Sequence, residues 1–250
     1  MTGNSGQGTD GAPRLSLLIP IHNEAENIDN LLDEVREVLA PIGAFEVLLM
    51  NDASSDQSLT LMTAWKDRNA ANWLRILTLE TQSGQSGALM AGIEQTRAPL
   101  VCTMDGDMQN DPRDLVTMLE MLEDDALAGV SGMRVDRQDT FVRRLSSKIG
   151  NGVRNTITGD SVQDSACGIK MFRRRYWLMV PRFNGMHRFM PTLVRYAGGQ
   201  VREIAVNHRA RVAGTAKYGI GNRALRGLKD CFAVRWYRSR LLRYGVKEER

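Results

Sequence analysis

Residues 100–112 read LVCTMDGDMQNDP. The first five form a short apolar run of the kind found in buried strands, and Asp105-Gly106-Asp107 stands at its carboxyl end. Asp111-Pro112 then predicts a helix, with Asp as the N-cap, Pro in the first helical position and Leu115, Met118, Leu119 and Leu122 at helical spacing. A strand that ends in carboxylates and turns at once into a helix is one unit of an α/β alternation. The preceding sequence repeats it. Residues 15–21 (LSLLIPI) predict a first strand, and Asn23 is expected to cap a helix through Ile28, Leu31, Leu32, Val35, Val38 and Leu39, with Glu24 and Glu26 in its first turn. Residues 45–50 predict a second strand, ending in Asn51-Asp52-Ala53-Ser54-Ser55-Asp56 and a helix to about residue 69. Residues 74–79 predict a third, followed by the turn Gly84-Gln85-Ser86-Gly87 and a helix to about residue 96. Strands separated by helices of this length imply an α/β protein with a mainly parallel sheet covered on both faces. Ligands of such sheets bind beyond the strand carboxyl ends, where Asn51, Asp52, Asp105 and Asp107 collect.

The second half is less regular. It predicts a basic amphipathic helix over 141–157, a short strand over 168–172, a helix over 186–197 and a strand over 201–206 that leads into His208-Arg209-Ala210-Arg211. A last helix follows residues 214–221. The net charge of +4 conceals a polarity between the halves: residues 1–130 carry 7 Lys+Arg against 21 Asp+Glu, and residues 131–250 carry 26 against 8. Such asymmetry predicts that the second half faces anions, whether phosphates, nucleic acid or an acidic membrane surface.

Several classes are excluded. With 42% apolar and 25% charged residues the chain of 250 residues has the composition of a folding, core-forming protein. Its apolar runs fall far short of the ~18 residues of a membrane span. Residues 1–14 are Gly/Ser/Thr-rich without an apolar centre, and predict a flexible tail rather than a signal peptide, hence a cytoplasmic protein. Cys102, Cys167 and Cys231 include no CxxC pair, so neither zinc nor a disulfide framework is indicated. No G-x-G-x-x-G follows the first strand, against a nicotinamide oxidoreductase. The histidines His22, His187 and His208 lack the Ser/Asp pattern of a hydrolytic triad. The basic residues come without RNP, zinc-finger or KH motifs, against a nucleic-acid partner.

Two carboxylates separated by one glycine at a strand end present oxygens suited to a hard divalent cation that also holds a diphosphate, and Gln109 offers a further oxygen. With this in place the chain resembles the family-2 glycosyltransferases of the Rossmann-like A-type fold, most nearly those that load sugars onto polyprenyl phosphates. The likeness spans residues from about 15 to 235. It rests on Pro20-Ile21-His22-Asn23-Glu24, the Asn51 to Asp56 run, Gly84-Gln85-Ser86-Gly87-Ala88, the Asp105 to Pro112 run, Arg137-Gln138-Asp139, Asp164-Ser165-Ala166-Cys167-Gly168, and His208-Arg209-Ala210-Arg211 with Gly214-Thr215-Ala216-Lys217-Tyr218. Departures are Asn51 for the first Asp of the usual Asp-Asp-Gly-Ser run, Ala53 for its Gly, and His22 where an aromatic residue is common.

The resemblance implies that Pro20, Glu24 and Asp52 line a nucleoside pocket, with Gln85 on the substrate side. Asp105, Asp107 and Gln109 would hold Mg²⁺ or Mn²⁺ against a UDP- or GDP-linked sugar. Arg134, Arg137, Arg143, Arg209, Arg211 and Lys217 would divide between the donor diphosphate and the acceptor phosphate, with Arg134 and Arg209 acting beside the metal ligands in catalysis. The expected reaction is metal-dependent transfer, with inversion, to an undecaprenyl or dolichyl phosphate. A hydroxyl acceptor is the alternative, and it would need Asp164 as base.

The expected organisation is a tail over 1–14, a transferase domain over 15–219 with its nucleotide and metal half ending near 130, and a basic amphipathic helix over 220–250. Many bacterial relatives carry two membrane-spanning helices after the transferase domain. Here Leu225, Leu228, Phe232 and Trp236 form an apolar stripe, and between Arg223 and Arg243 stand seven Lys+Arg and one Asp. That pattern predicts peripheral attachment to the inner face of an acidic membrane, with a membrane-protein partner or a second copy as further partners.

Overall fold

The structure, a computed structural model, describes residues 11–135, 141–210 and 221–242, the side chains of 141–148 and 221–224 excepted. The expected first-half alternation is present. Strands β1 (Leu15–Ile21), β2 (Phe45–Asn51), β3 (Leu74–Thr78) and β4 (Leu100–Thr103) alternate with helices α1 (Ile28–Leu39), α2 (Ser58–Arg68) and α3 (Gly84–Gln95), and α4 (Asp114–Met121) follows. The remaining elements are β5 (Leu127–Arg134), α5 (Phe141–Thr158), β6 (Lys170–Arg173), α6 (Arg174–Met179), α7 (Met190–Tyr196), β7 (Gln200–Val206) and α8 (Gly221–Arg240).

All seven strands join one sheet in the order β3-β2-β1-β4-β6-β5-β7. Every neighbouring pair is parallel except those made by β6, which runs antiparallel to β4 and to β5. Side chains alternate across the sheet as strand geometry requires. Leu15, Leu17, Ile19 and Ile21 of β1, Val47 and Leu49 of β2, and Leu100 and Cys102 of β4 enter one core with α1, α2 and α4. Leu18, Leu48, Met50 and Val101 enter the other with α3, Phe172, Trp177 and α7. Both faces are dry, so the strands read as continuous apolar runs, and each fully buried Leu or Ile contributes about 1.5–3 kcal/mol.

The sheet's two edges differ in what they do with charge. At the amino edge Glu46 is fully engaged: it accepts from Ser16 Oγ at 2.6 Å and from the Arg97 N–H at 2.6 Å, and it pairs with Arg75 at 2.9 Å. At the carboxyl edge β1 lies between β2 and β4, and the chain leaves to opposite sides of it. This is a switch point, where a crevice opens.

Four details differ from the sequence reading. Asn23 does not cap α1, which begins at Ile28 after a 3₁₀ turn; Asn23 has a φ of 53° and its Oδ1 accepts the N–H of Ser55 at 2.8 Å. It ties the β1 loop to the β2 loop. Asp111 does accept the Arg113 N–H at 3.0 Å, but regular helix starts only at Asp114. The segment expected as one helix over 186–197 is a 3₁₀ turn over Met186–Arg188 followed by α7. Finally, β5 was not legible as a strand. A Cβ at Gly129 would sit 1.9 Å from the Phe172 ring of β6, and Gly129, Ser131 and Gly132 interrupt the apolar run by which a strand buried on both faces is recognised.

Candidate active site

The carboxyl ends of β1, β2 and β4 open into a cavity of 630 Å³. Its lining includes Pro20, His22, Glu24 and Asp52 on the β1–β2 side, Gln85 from α3, and Asp105, Asp107 and Gln109 from the loop after β4. These are seven of the expected site residues together with His22. Arg134, also expected, lines the opposite wall with Cys167, Gly168, Lys170, Trp177, His187 and Arg188.

The topology explains why this wall meets the carboxylates. Because β6 is antiparallel, its beginning lies against the end of β4, with Lys170 paired to Thr103 in register. On its other side Lys170 pairs with Ser131 of β5, whose end carries Arg134 to the same edge. Thr103 Oγ1 donates to the Gly168 carbonyl at 2.9 Å and fixes the approach.

Asp105 is held on several sides. Its backbone N–H donates to Asn110 Oδ1 at 3.1 Å, and Gln85 Nε2 donates to its Oδ1 at 2.9 Å. Its Oδ2 lies over Gly168, where an added Cβ would come within 2.0 Å of that oxygen. Gly168→Ala is therefore expected to displace the carboxylate and, if Asp105 holds a cation, to lower activity by about 10- to 100-fold, the range for losing a group that orients a ligand. The check is the divalent-cation dependence of activity, with Gly152→Ala, where a Cβ meets nothing within 4 Å, as control. Wild-type behaviour of Gly168→Ala would mean that Asp105 needs no such support.

Asp52 occupies the neck between β2 and α3. Its two oxygens accept the N–H groups of Ser83 at 2.6 Å and Gly84 at 2.8 Å, where a helix start favours negative charge. Asp107 Oδ1 accepts the Gln109 N–H at 3.3 Å, and Met108 between them has a φ of 61°.

Arg134 and Asp164 form a buried two-point pair, Nε to Oδ2 at 2.7 Å and Nη2 to Oδ1 at 2.8 Å. Burial opposes the guanidinium's charge, but the Asp164 hydrogen bonds outweigh it and raise its pKa. Asp164 is thus not placed as a base: it is absent from the cavity lining and its oxygens already serve Arg134. Arg209 is also moved from its expected role. Its guanidinium reaches Glu34 at 2.7 Å and Asp111 at 2.7 Å, outside the cavity lining, and these hydrogen bonds raise its pKa despite partial burial. Its backbone N–H donates to the Gln109 carbonyl at 2.9 Å. Arg137, Arg211 and Lys217 lie outside the described residues, and Arg143 lies on α5 with its side chain outside them.

Lys170 is a cavity residue that the sequence reading did not place there, and it stands with His187 and Arg188, a pair whose sequence fits phosphate recognition. Lys170 is 3% exposed and donates to the Cys167 carbonyl; burial lowers its pKa against the opposing pull of Cys167 and Asp105. Burial pushes the Cys167 thiol up to about 11, so it faces the cavity as an inert thiol. A basic residue on a strand next to an expected strand-end motif was the signal available for Lys170.

Among the described residues no three His, Cys, Asp or Glu side chains gather into a closed metal site. The donor set nonetheless fits a hard cation of the Mg²⁺ type, which takes one or two carboxylates and completes its shell with substrate phosphates and water.

A mainly parallel sheet with a carboxylate-bearing crevice at its switch point is the architecture of A-type glycosyltransferases. A mannosyltransferase from Pyrobaculum calidifontis in complex with GDP-Man and Mn²⁺ superposes with a TM-score of 0.64 at 19% identity, over 92% of this chain and 70% of that one. Glucosyl-3-phosphoglycerate synthase from Mycobacterium tuberculosis in complex with Mn²⁺, UDP and phosphoglyceric acid does so with 0.67 at 16%, over 94% and 81%. Residues 16–178 match the profile of Glycosyl transferase family 2, and the chain belongs to that family. Dodecaprenyl-phosphate galacturonate synthase from Rhizobium johnstonii is 35% identical over 89% of this chain and 67% of its own length. Undecaprenyl-phosphate 4-deoxy-4-formamido-L-arabinose transferase from Yersinia pestis is 30% identical over 83% and 63%. The chain thus spans about two thirds of the length of these relatives.

Proposed function

We propose that the chain transfers a sugar from a nucleoside-diphosphate sugar to a polyprenyl phosphate, with inversion at the anomeric carbon. The observation that carries this reading is the two-sided cavity, with Asp105 and Asp107 on one wall and Arg134, Lys170 and Arg188 on the other. The names of the two relatives, both polyprenyl-phosphate transferases, support it. Pro20, Glu24 and Asp52 would line the nucleoside end. Asp105, Asp107 and Gln109 would hold Mg²⁺ or Mn²⁺, which when bound supplies positive charge to the leaving diphosphate. An alkyl phosphate has a second pKa of about 6, by analogy with phosphorylated side chains, and arrives ionised. Its oxygen attacks the anomeric carbon as the bond to the diphosphate breaks, and the nucleoside diphosphate departs from the opposite face. No protein base is consumed. The basic wall holds two anions together, the task for which guanidinium and ammonium groups are suited.

A hydroxyl acceptor is disfavoured by one observation: the carboxylate expected as its base, Asp164, is bound by Arg134. The test is transfer from a panel of UDP- and GDP-sugars to matched polyprenol and polyprenyl phosphate. Product is expected only with the phosphate; comparable rates with the alcohol would overturn the reading.

Peripheral attachment to an acidic membrane belongs to the same proposal. Among the described residues no helix is long and apolar enough to cross a membrane. Helix α8 buries Cys231 and Val234 against the domain but leaves Leu225, Phe232 and Trp236 exposed at 65%, 58% and 63%. Each Lys or Arg near an acidic surface adds about 1 kcal/mol, an attraction that fades beyond ~10 Å at 0.1 M salt. Sedimentation with anionic vesicles is expected to be salt-sensitive, and Phe232→Ser/Trp236→Ser to weaken it even at low salt. Recovery of both proteins in the supernatant under every condition would remove α8 as an anchor.

A further inference from the structure

Ser86 and His187 are 101 positions apart in the chain and meet beside the cavity, Ser86 Oγ lying 2.7 Å from His187 Nδ1. Ser86 stands one residue after Gln85 in the first turn of α3, so neighbouring residues of one turn reach Asp105 and His187 respectively. The same Oγ accepts the Gly185 N–H at 2.8 Å. Gly185 has a φ of 99°, and a Cβ there would come within 2.8 Å of Asp230 Oδ2 on α8. The turn that carries His187 is thereby fixed between α3 and α8.

This arrangement sets the tautomer of the ring. A hydroxyl has one hydrogen to give and can accept two, and among the described residues Nδ1 is the one acceptor that meets Oγ, so that hydrogen is directed at Nδ1. Nδ1 is then the acceptor, and the ring's own hydrogen lies on Nε2, at the opposite edge. His187 lines the cavity that also holds Asp105 and Arg188. Among the described residues no hydrogen-bond partner meets Nε2, and it is not among the buried unpartnered atoms, so this edge opens to the cavity. Burial, with Arg188 and Lys170 adding to it, lowers the imidazole pKa to about 3 and keeps the ring neutral.

Resting on the transferase reading, we propose that His187 is a ligand-binding residue of this cavity, a neutral imidazole that donates its Nε2–H to a phosphate oxygen, and that Ser86 and Gly185 are the positioning residues that aim it. Lys170, Arg134 and Arg188 already supply charge to the basic wall. What a neutral donor adds is direction, as neutral imidazoles do where an oxygen must be addressed without a further cation. The phosphate is that of the donor diphosphate or that of the acceptor, and the two are separable by experiment.

The chain has three histidines, so ¹⁵N-histidine spectra of the intact protein are sparse, and His187→Gln assigns the signal by its loss. At neutral pH the His187 ring is expected to be uncharged with its hydrogen on Nε2, and Ser86→Ala to alter the Nδ1 signal. Titration with UDP and Mg²⁺, and separately with dodecyl phosphate, identifies the source of the phosphate: one of them shifts the Nε2 signal. In activity, His187→Gln retains an N–H near the Nε2 position and is expected to stay within about 10-fold of wild type in kcat/KM. His187→Phe keeps the packing without the donor and is expected to lose about 10- to 100-fold, the value of a hydrogen bond to a charged group. A hydrogen on Nδ1, an imidazolium, a signal unmoved by both anions, or equal activity of the Phe and Gln variants would each overturn the proposal. A His187 shift with UDP and Mg²⁺ in a protein that does not act on polyprenyl phosphate would leave it standing and remove the acceptor assignment instead.

Discussion

Asp105→Asn is expected to lower sugar transfer by about 10³-fold or more while leaving the fold intact. Asparagine has nearly the shape of aspartate, can still accept from Gln85 Nε2, and clears Gly168 as the native side chain does. What it removes is the negative charge facing the cavity. A cation that polarises a phosphoryl oxygen contributes several kcal/mol to transition-state stabilisation, and about 4 kcal/mol corresponds to ~10³ in rate. The loss should appear in kcat/KM at saturating Mg²⁺ or Mn²⁺, and the residual rate should be insensitive to chelator. Asp107→Asn should behave alike, because two carboxylates and the Gln109 oxygen are the protein's whole expected share of the coordination. Near-native, chelator-resistant transfer by either variant would remove the metal assignment.

The second large effect concerns stability. Asp164→Ala leaves the Arg134 guanidinium, 13% exposed, without its two-point partner, and the N–H groups of Arg134 and Ala166 without their acceptor. Removing one member of a buried ion pair costs about 3–5 kcal/mol, whereas replacing both with apolar groups of similar volume is often neutral. Urea unfolding should therefore show a large fall for Asp164→Ala and a substantial recovery for Arg134→Met/Asp164→Leu. The double variant should still fail to transfer sugar, because Arg134 faces the cavity. Recovery of activity along with stability would show that the pair is structural alone. An unchanged midpoint for Asp164→Ala would show that the guanidinium finds solvent or another partner.

The four strands of the first half were legible because β1, β2, β3 and β4 are local events: an apolar run, a polar strand end and a helix with apolar spacing, each within about thirty residues. The carboxylates at those ends follow from the same pattern, since a parallel sheet places every strand end on one edge. Asp52, Asp105 and Asp107 thus belong to one crevice on the sequence pattern alone, and all three line the cavity. Arg209 and Asp164 show where that reasoning stops. Both stand in motifs beside the crevice, yet one reaches Glu34 and Asp111 and the other closes on Arg134. A charged side chain pairs with an opposite charge that the fold brings within reach, and Glu34 precedes Arg209 by 175 positions.

By itself, then, the sequence determined the α/β class, the edge of the sheet that carries the carboxylates, the acidic-to-basic polarity of the two halves and the outward apolar stripe of α8. Only the tertiary structure decided that β6 enters the sheet in reverse between β4 and β5, and with that reversal came the second wall of the cavity. Gly168 and Lys170 meet Asp105 because an antiparallel neighbour begins where β4 ends. Ser86 meets His187 because α3 and the turn before α7 pack on the same face. The physical reason is one of range. Periodicity and turn chemistry act between residues a few positions apart and are written in order along the chain. The direction and neighbour of a strand are chosen by packing between segments sixty or a hundred residues apart, as when Phe172 takes the space that Gly129 leaves open.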